Sequence, residues 1–292
     1  MFAEFADFME KYRGEKIALA VSGGADSTAL MHLCAELGLD FVVLHVNHKL
    51  RPESEAEAAH VKSLPFDTVV LEWNGVKPRT GLEESARNAR YGLMTDWCHK
   101  NGVGVLAVAH QADDNIETFL MNLRRGSGIY GLAGIRAVAS RDGIKIIRPL
   151  LGIPRAALEK YCADFNHKYF HDAMNDDEKY TRVKIRKNRR VLRDALGITD
   201  ERMLLAIANL ARARESLESM AARGDFWEMP AELQLKFLGD EIRRIGKASY
   251  APRLQSLQKL LYALLAAPTV RRTLGNCIIT RKKNEIKIEK EI

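Results

Sequence analysis

The first half of the chain alternates two hydrophobic rhythms. Short apolar runs, "KIALAVS", "FVVLHVNH", "DTVVLEW" and "GVLAVAH", are rich in Val, Leu and Ala and stop at turn residues. Runs of this length and composition predict strands buried on both faces. Between them, "DSTALMHLCAELG", "SEAEAAHVKSL" and "GLEESARNARYGLMTDWCHKNG" repeat their apolar residues every three or four positions, and the last ends at Asn-Gly. That is the period and the stop signal of a helix. Strand and helix in regular alternation predict an α/β fold built on a doubly wound parallel sheet, whose ligands bind at the carboxyl ends of the strands.

Further on, "ADDNIETFLMNLRR" predicts a helix closed by "GSG", and "IRAVASRDGIKIIRPL" a hairpin about Arg-Asp-Gly. "IPRAALEKYCADFNH" predicts another helix, with Pro154 near its first turn. From about Thr199 to Arg223 the chain is rich in Ala, Leu and Arg, as a long connecting helix would be, and helical patterns continue through "PAELQLKFLGDEIRRIG" and "LQSLQKLLYALLAA". The end, "RRTLGNCIITRKKNEIKIEKE", reads as two strands joined by a polar turn. The expected organisation is a large domain over residues 1–190, a helical linker over 191–224 and a smaller α+β domain over 225–292.

Composition narrows the class. With 47% hydrophobic and 28% charged residues among 292, the chain reads as a soluble globular protein. No apolar run reaches the length of a membrane span. The start, "MFAEFADFMEKYRGEK", has no basic region followed by an apolar core, so a cytoplasmic location is the default expectation. Cys34, Cys98, Cys162 and Cys277 form no C-x-x-C pair, which argues against zinc, an iron–sulfur cluster and a disulfide framework. The first three fall in helical patterns and are expected as core thiols.

The net charge of +7 matters mainly for where it lies. Between Arg182 and Arg193, "RVKIRKNRRVLR" holds seven basic residues and no acid. A solvated helix face is the plain reading of such a run; repulsion among uncompensated cations favours a polyanionic partner instead.

Candidate chemistry begins at "SGGADS", residues 22–27, where a predicted strand opens into a Gly-rich turn and then a helix. This arrangement aims backbone N–H groups and a helix N-terminus at an anion. Gly23 and Gly24 allow close approach, and the hydroxyls of Ser22 and Ser27 can donate to phosphate oxygens. The lysine of the ATPase P-loop and the G-x-G-x-x-G of the dinucleotide fingerprint are both absent. An ordinary tight turn would account for the glycines but not for two serines and Asp26 beside them. A second cluster, "AHQADDNIETF", sets His110, Asp113, Asp114 and Glu117 about one helical turn apart, so that they share a face near a helix N-terminus. Capping would explain one carboxylate there.

These segments carry a resemblance. S-G-G-x-D-S is similar to the signature of the PP-loop ATP pyrophosphatases, which cleave ATP between the α and β phosphates and activate an oxygen as an adenylate. Within that group, "HQADDNIET" followed by "RGSG", "HVNHKLR" and "EESARNARYGLM" resemble elements of the tRNA(Ile)-lysidine synthetase family, and "RPLL", "DAMN" and "YTR" match its R-P-L-L, D-x-x-N and Y-x-R elements in order. The likeness covers roughly the first two-thirds of the chain, and the C-terminal part is only loosely similar to the family's small tRNA-contacting domain. Two positions depart from the pattern. Arg182-Val183-Lys184-Ile185-Arg186 stands where the family commonly has R-N-R-I-R, and Phe170-His171 stands in for a displaced aromatic.

The resemblance implies a ligase that adenylates the wobble cytidine of an isoleucine tRNA with a CAU anticodon and joins free L-lysine to carbon 2. The codon read would change from AUG to AUA. ATP would lie on Ser22, Gly23, Gly24, Ala25, Asp26 and Ser27, with His45 near the adenosine and Arg87 near phosphate. Mg²⁺ would be held by Asp26 and Asp114. Asp26, His110, Asp113 and Asp114 would serve the chemistry, and Arg182, Lys184, Arg186, Lys187, Arg189 and Arg190 would hold the tRNA, with Tyr180 stacking on a base. Arg87 and Arg90 share a helix, and pairing with Glu83 and Glu84 is their structural alternative. A tRNA thiolation enzyme of the same group is disfavoured by the missing C-x-x-C, and an amide-forming ligase for a small metabolite would not need the basic run. A non-catalytic RNA-binding protein would tolerate Asp26→Ala. The oligomeric state, a homodimer included, is open at this level.

Overall fold

The computed structural model describes residues 2–291 apart from 50–52, 76, 79, 171–180, 222–224 and 249. Leu50 and Arg51 of the "HVNHKLR" stretch, and His171, Asp172, Asn175 and Tyr180, lie outside the described residues. The chain divides into two compact units, residues 1–121 with 134–207, and residues 122–133 with 208–292.

In the first unit, strands β1 (Ile17–Ala20), β2 (Phe41–Asn47), β3 (Thr68–Glu72), β4 (Val105–Val108), β5 (Val138–Arg141) and β6 (Ile144–Ile147) form one sheet in the order β3-β2-β1-β4-β6-β5. All neighbours are parallel except β5, which pairs antiparallel with β6 as the Arg-Asp-Gly turn predicts. With these strands go α1 (Ala3–Glu10), ahead of β1, then α2 (Ala25–Glu36), α3 (Glu53–Lys62), α4 (Leu82–Lys100), α5 (Ala112–Arg124), α7 (Arg155–Asp164) and α8 (Thr181–Leu196); the last residues of α5 and the short α6 (Ile129–Leu132) fall in the second unit. Alternation along each strand sorts two cores. Ile17, Leu19, Val105 and Ala107 face α2 and α7, while Ala18, Leu106 and Val108 face Tyr91, Met94 and Cys98 of α4. Burial on both faces is why these strands read as continuous apolar runs. Register matters more for function: Ala20 pairs with both Leu44 and Val108. The carboxyl ends of β1 and β4 are therefore level, β2 runs three residues further to Asn47, and their exit loops share one edge.

In the second unit, α10 (Ala231–Ile245) and α11 (Leu254–Ala266) pack Leu238, Ile242, Leu260 and Leu264 against the antiparallel strands β7 (Thr269–Leu274), β8 (Cys277–Lys282) and β9 (Glu285–Lys290). The sequence pattern leads to two strands here; the structure has three. The strand β7 was hidden because only Val270 of its residues is buried, and Arg271 and Arg272 interrupt any alternation. Its turn is nevertheless typical of hairpins, with Gly275 and Asn276 both at positive φ. A long helix, α9 (Asp200–Ala221), runs along the Ala-, Leu- and Arg-rich stretch. All four cysteines are free and buried.

Where α2 meets the chain after α7, the rings of His32 and His167 stack 3.4 Å apart at an interplanar angle of 6°. The Tyr161 hydroxyl donates to Glu36 beside them (2.6 Å). Burial, and then the neighbouring His167, push His32 down to about 4, with Glu36 opposing. Between that value and the ordinary histidine range the unfolded chain binds more protons, so stability is lost as pH falls through this window. The thermal midpoint, followed by circular dichroism from pH 7 to pH 4.5, is expected to fall, and His32→Phe is expected to flatten part of that decline.

Candidate active site

The loop leaving β1 is built by its own side chains. Val21 continues the pairing with β2 through its N–H to Leu44 (3.0 Å), and the buried His45 donates its Nδ1 proton to the Val21 carbonyl (2.9 Å). Gly23 takes a φ of +93°, which an L side chain resists. The Ser27 hydroxyl accepts from the N–H groups of Ser22 and Gly23 (3.2 Å each) and donates to the Gly24 carbonyl (3.0 Å). From outside, the Phe170 N–H donates to the Gly23 carbonyl (2.9 Å). Two residues assigned to nucleotide contact from sequence thus have structural bonds here: Ser27 braces the loop, and His45 pins its base.

Asp26, in the first turn of α2, has one carboxylate oxygen 3.7 Å from the Arg155 guanidinium and the other buried without a partner. Burial pushes it up to about 6, the Arg155 charge working against this and Asp114, Glu159 and Asp113 with it. Level with the loop, the chain after β4 enters α5. Asp114 caps that helix by accepting from the Gln111 N–H (3.2 Å). Asp113 accepts from the Arg155 N–H (2.9 Å) and from Arg189 (2.5 Å), and the second nitrogen of Arg189 reaches Asp200 (3.1 Å). Although burial raises Asp113, these partners hold it below its ordinary value. Glu117 is fully buried, with one oxygen accepting from Arg186 (2.9 Å) and the other unpartnered.

Asp26, Asp113 and Asp114 therefore belong to one site, and Arg155 joins them by touching Asp26 with its side chain and Asp113 with its backbone. Arg155 and Glu117 were missing from the sequence-level assignment of roles, although both lie inside the motifs quoted above. Arg186 and Arg189 point into the acids. Of the other cations in the run, Lys184, Lys187 and Arg190 are exposed and Arg182 is half-buried. Arg190 pairs with Asp194 (3.1 Å). His110 is half-buried, with its Nδ1 atom enclosed and unpartnered. Arg87 and Arg90 lie over the Tyr91 ring at 5.6 and 5.7 Å.

Among the described residues no group of three or more His, Cys, Asp or Glu side chains could hold a metal. A lone unsatisfied carboxylate oxygen on Asp26 instead fits Mg²⁺, which binds through one or two carboxylates together with substrate phosphates.

Comparison with known proteins agrees with this geometry. A family described as the PP-loop domain matches residues 1–192. The tRNA(Ile)-lysidine synthase of Ruegeria pomeroyi is 37% identical, the alignment covering 94% of this chain and 71% of that one. Its counterpart in Wolbachia pipientis is 34% identical over 96% and 72% of the two chains, and that of a Methylobacterium species 35% identical over 90% and 85%. Among solved structures, the U34-tRNA thiolase NcsA from Methanococcus maripaludis superposes with a TM-score of 0.57 at 18% identity, over 73% of this chain and 78% of that one, a likeness of fold. By the match of its PP-loop domain and its identity with relatives along most of its length, the chain belongs to the tRNA(Ile)-lysidine synthase family of PP-loop proteins.

Proposed function

We infer that the protein adenylates the wobble cytidine of an isoleucine tRNA with a CAU anticodon and joins L-lysine to carbon 2 of that base. The observation that carries this reading is the Arg155 bridge, which makes the PP-loop and the α5 acids a single site rather than two neighbours.

The loop and the N-terminus of α2 offer N–H groups to the triphosphate of ATP. Cytosine O2 attacks the α phosphorus, the bond to the β phosphate breaks, and pyrophosphate departs. Carbon 2 of the adenylated base is then electrophilic. The lysine amine adds there, AMP leaves, and the amine proton passes to a base. Asp26, with Asp114 behind it, is the natural holder of Mg²⁺, which would supply positive charge to the departing pyrophosphate. Asp113, Asp114 and His110 are the candidates to meet the incoming amine, since a carboxylate both binds a cationic amine and accepts its proton. The target base must be unstacked, which is easiest in a single-stranded anticodon loop. The exposed Lys184, Lys187 and Arg190 would meet RNA phosphates, with binding that weakens steeply in salt.

The direct test incubates the protein with tRNA, Mg-ATP and lysine, then analyses nucleosides by mass spectrometry and nucleotides by chromatography. A cytidine heavier by lysine less water, with AMP and pyrophosphate, is the expected result. AMP without a modified cytidine would redirect the search to another acceptor.

Asp26→Asn is expected to lower AMP formation by at least about a hundredfold, the scale of losing one preorganised electrostatic contact to the transition state. Its melting temperature at pH 8, without nucleotide or magnesium, is expected to rise, because the folded protein pays to keep this carboxyl ionised. Arg189→Met leaves Asp113 short of a partner and is expected to cost about 1–3 kcal/mol of stability, read from denaturant titration. It should also impair ATP-dependent turnover, which a purely RNA-holding arginine would not do at saturating tRNA.

A further inference from the structure

A second set of arginines lies apart from both the loop and the acids. Tyr91, buried on α4, has three guanidinium groups within cation–π range: Arg87 at 5.6 Å and Arg90 at 5.7 Å from its own helix, and Arg141 of β5 at 4.9 Å. Arg141 also donates to Asn88 (3.2 Å) and lies 3.6 Å from its neighbour Asp142. Just past β6, Arg148 is only 9% exposed; it donates to the Arg136 carbonyl (2.7 Å), while its Nε is buried without a partner. After burial itself, the influences weighing most on His110 are all arginines: Arg148, Arg87, Arg90 and Arg182. Cations from α4, β5, the end of β6 and α8 thus converge on one place.

Such an arrangement is costly as it stands. Burial and then neighbouring guanidinium groups push Arg90 and Arg148 below their ordinary values, the polar end of Tyr91 only partly offsetting this. A ring face attracts a cation but carries no net charge. What completes the cluster is an anion with several oxygens, which arginine forks bind better than lysines do.

We propose that the Tyr91 cluster is a receptor for a backbone phosphate of the tRNA, with Arg148 and Arg141 as contacts that hold the nucleotide strand beside the reacting base. The inference rests on the reading of tRNA as substrate. Location favours RNA over ATP. The PP-loop leads into α2 on one face of the sheet, whereas Tyr91 belongs to the core on the opposite face. Moreover, β6 lies two places from β1 in the sheet, roughly 10 Å at the usual strand spacing.

The test compares wild type with Arg148→Gln, Arg148→Lys and Arg141→Gln. RNA binding is measured with an anticodon stem–loop transcript across a salt series, Mg-ATP binding separately by calorimetry, and folding by thermal melting. Arg148→Gln is expected to lose about tenfold in RNA affinity, the scale of one charge-assisted hydrogen bond. It should also reduce the salt slope by about one phosphate contact. Arg148→Lys should keep the slope, Mg-ATP affinity should stay within about twofold of wild type, and the melting temperature of Arg141→Gln should stay within about 4 °C of it. If Arg148→Gln fails to fold, Arg141→Gln, a change at a half-exposed side chain, carries the same expectation on RNA affinity. Unchanged RNA affinity and slope in the folded variants would overturn the inference. So would a loss of Mg-ATP affinity with RNA binding intact, which would make this a nucleotide-phosphate site. Wild-type protein that fails to bind the transcript would overturn the tRNA reading itself, an outcome separate from a null confined to the variants.

Discussion

A carboxylate withdrawn from water must be matched by positive charge or protonated, and the carboxyl edge of this sheet gathers several of them. Glu117 is met by Arg186, Asp113 by Arg189 and by the Arg155 N–H, and Asp26 by the Arg155 side chain. The partners come from α7 and α8, far along the chain from the acids. Docking those two helices is therefore what brings positive charge to the acids at the edge. The pairing is unequal. Asp113 is held below its ordinary value, whereas Asp26, 3.7 Å from its cation, is not held and keeps one oxygen free. Glu117 also keeps an unpartnered oxygen, but its other oxygen has a cation at 2.9 Å; the most weakly paired of the three acids is the one beside the loop that would take ATP.

The basic helix gains a division of labour from the same constraint. Arg182, Arg186 and Arg189 fall four and three residues apart, on one face, while Lys184 and Lys187 lie on another. One helix can thus close the site with its inner face and offer charge to a polyanion with its outer face.

Much of this was legible in sequence, for physical reasons. The strands announced themselves because both of their faces are covered, and "SGGADS" because few other demands call for that set of residues at a strand end. What escaped was pairing over distance. Arg186 and Glu117 are 69 residues apart, and Arg189 and Asp113 are 76 apart, so a local count of charges saw seven cations without an acid. Ser27 and His45 were recognisable as belonging to the site, but not which way their polar atoms are spent. The strand β7 was lost because a half-exposed strand with adjacent arginines has no alternation to detect. Arg155 sat in a quoted motif, yet only the fold brings its two ends to two different aspartates.

The Ser27 hydroxyl has a consequence for how binding energy is spent. A phosphate loop that is slack when empty must be ordered by its ligand, and that cost is taken out of the affinity. Here two of the loop's amides are already tied to a hydroxyl from the first turn of α2, with His45 and Phe170 fixing the carbonyls on either side. The loop arrives folded. A nucleotide docking on it gives up little to conformational entropy, so more of its interaction energy remains for straining or aligning the bond that must break.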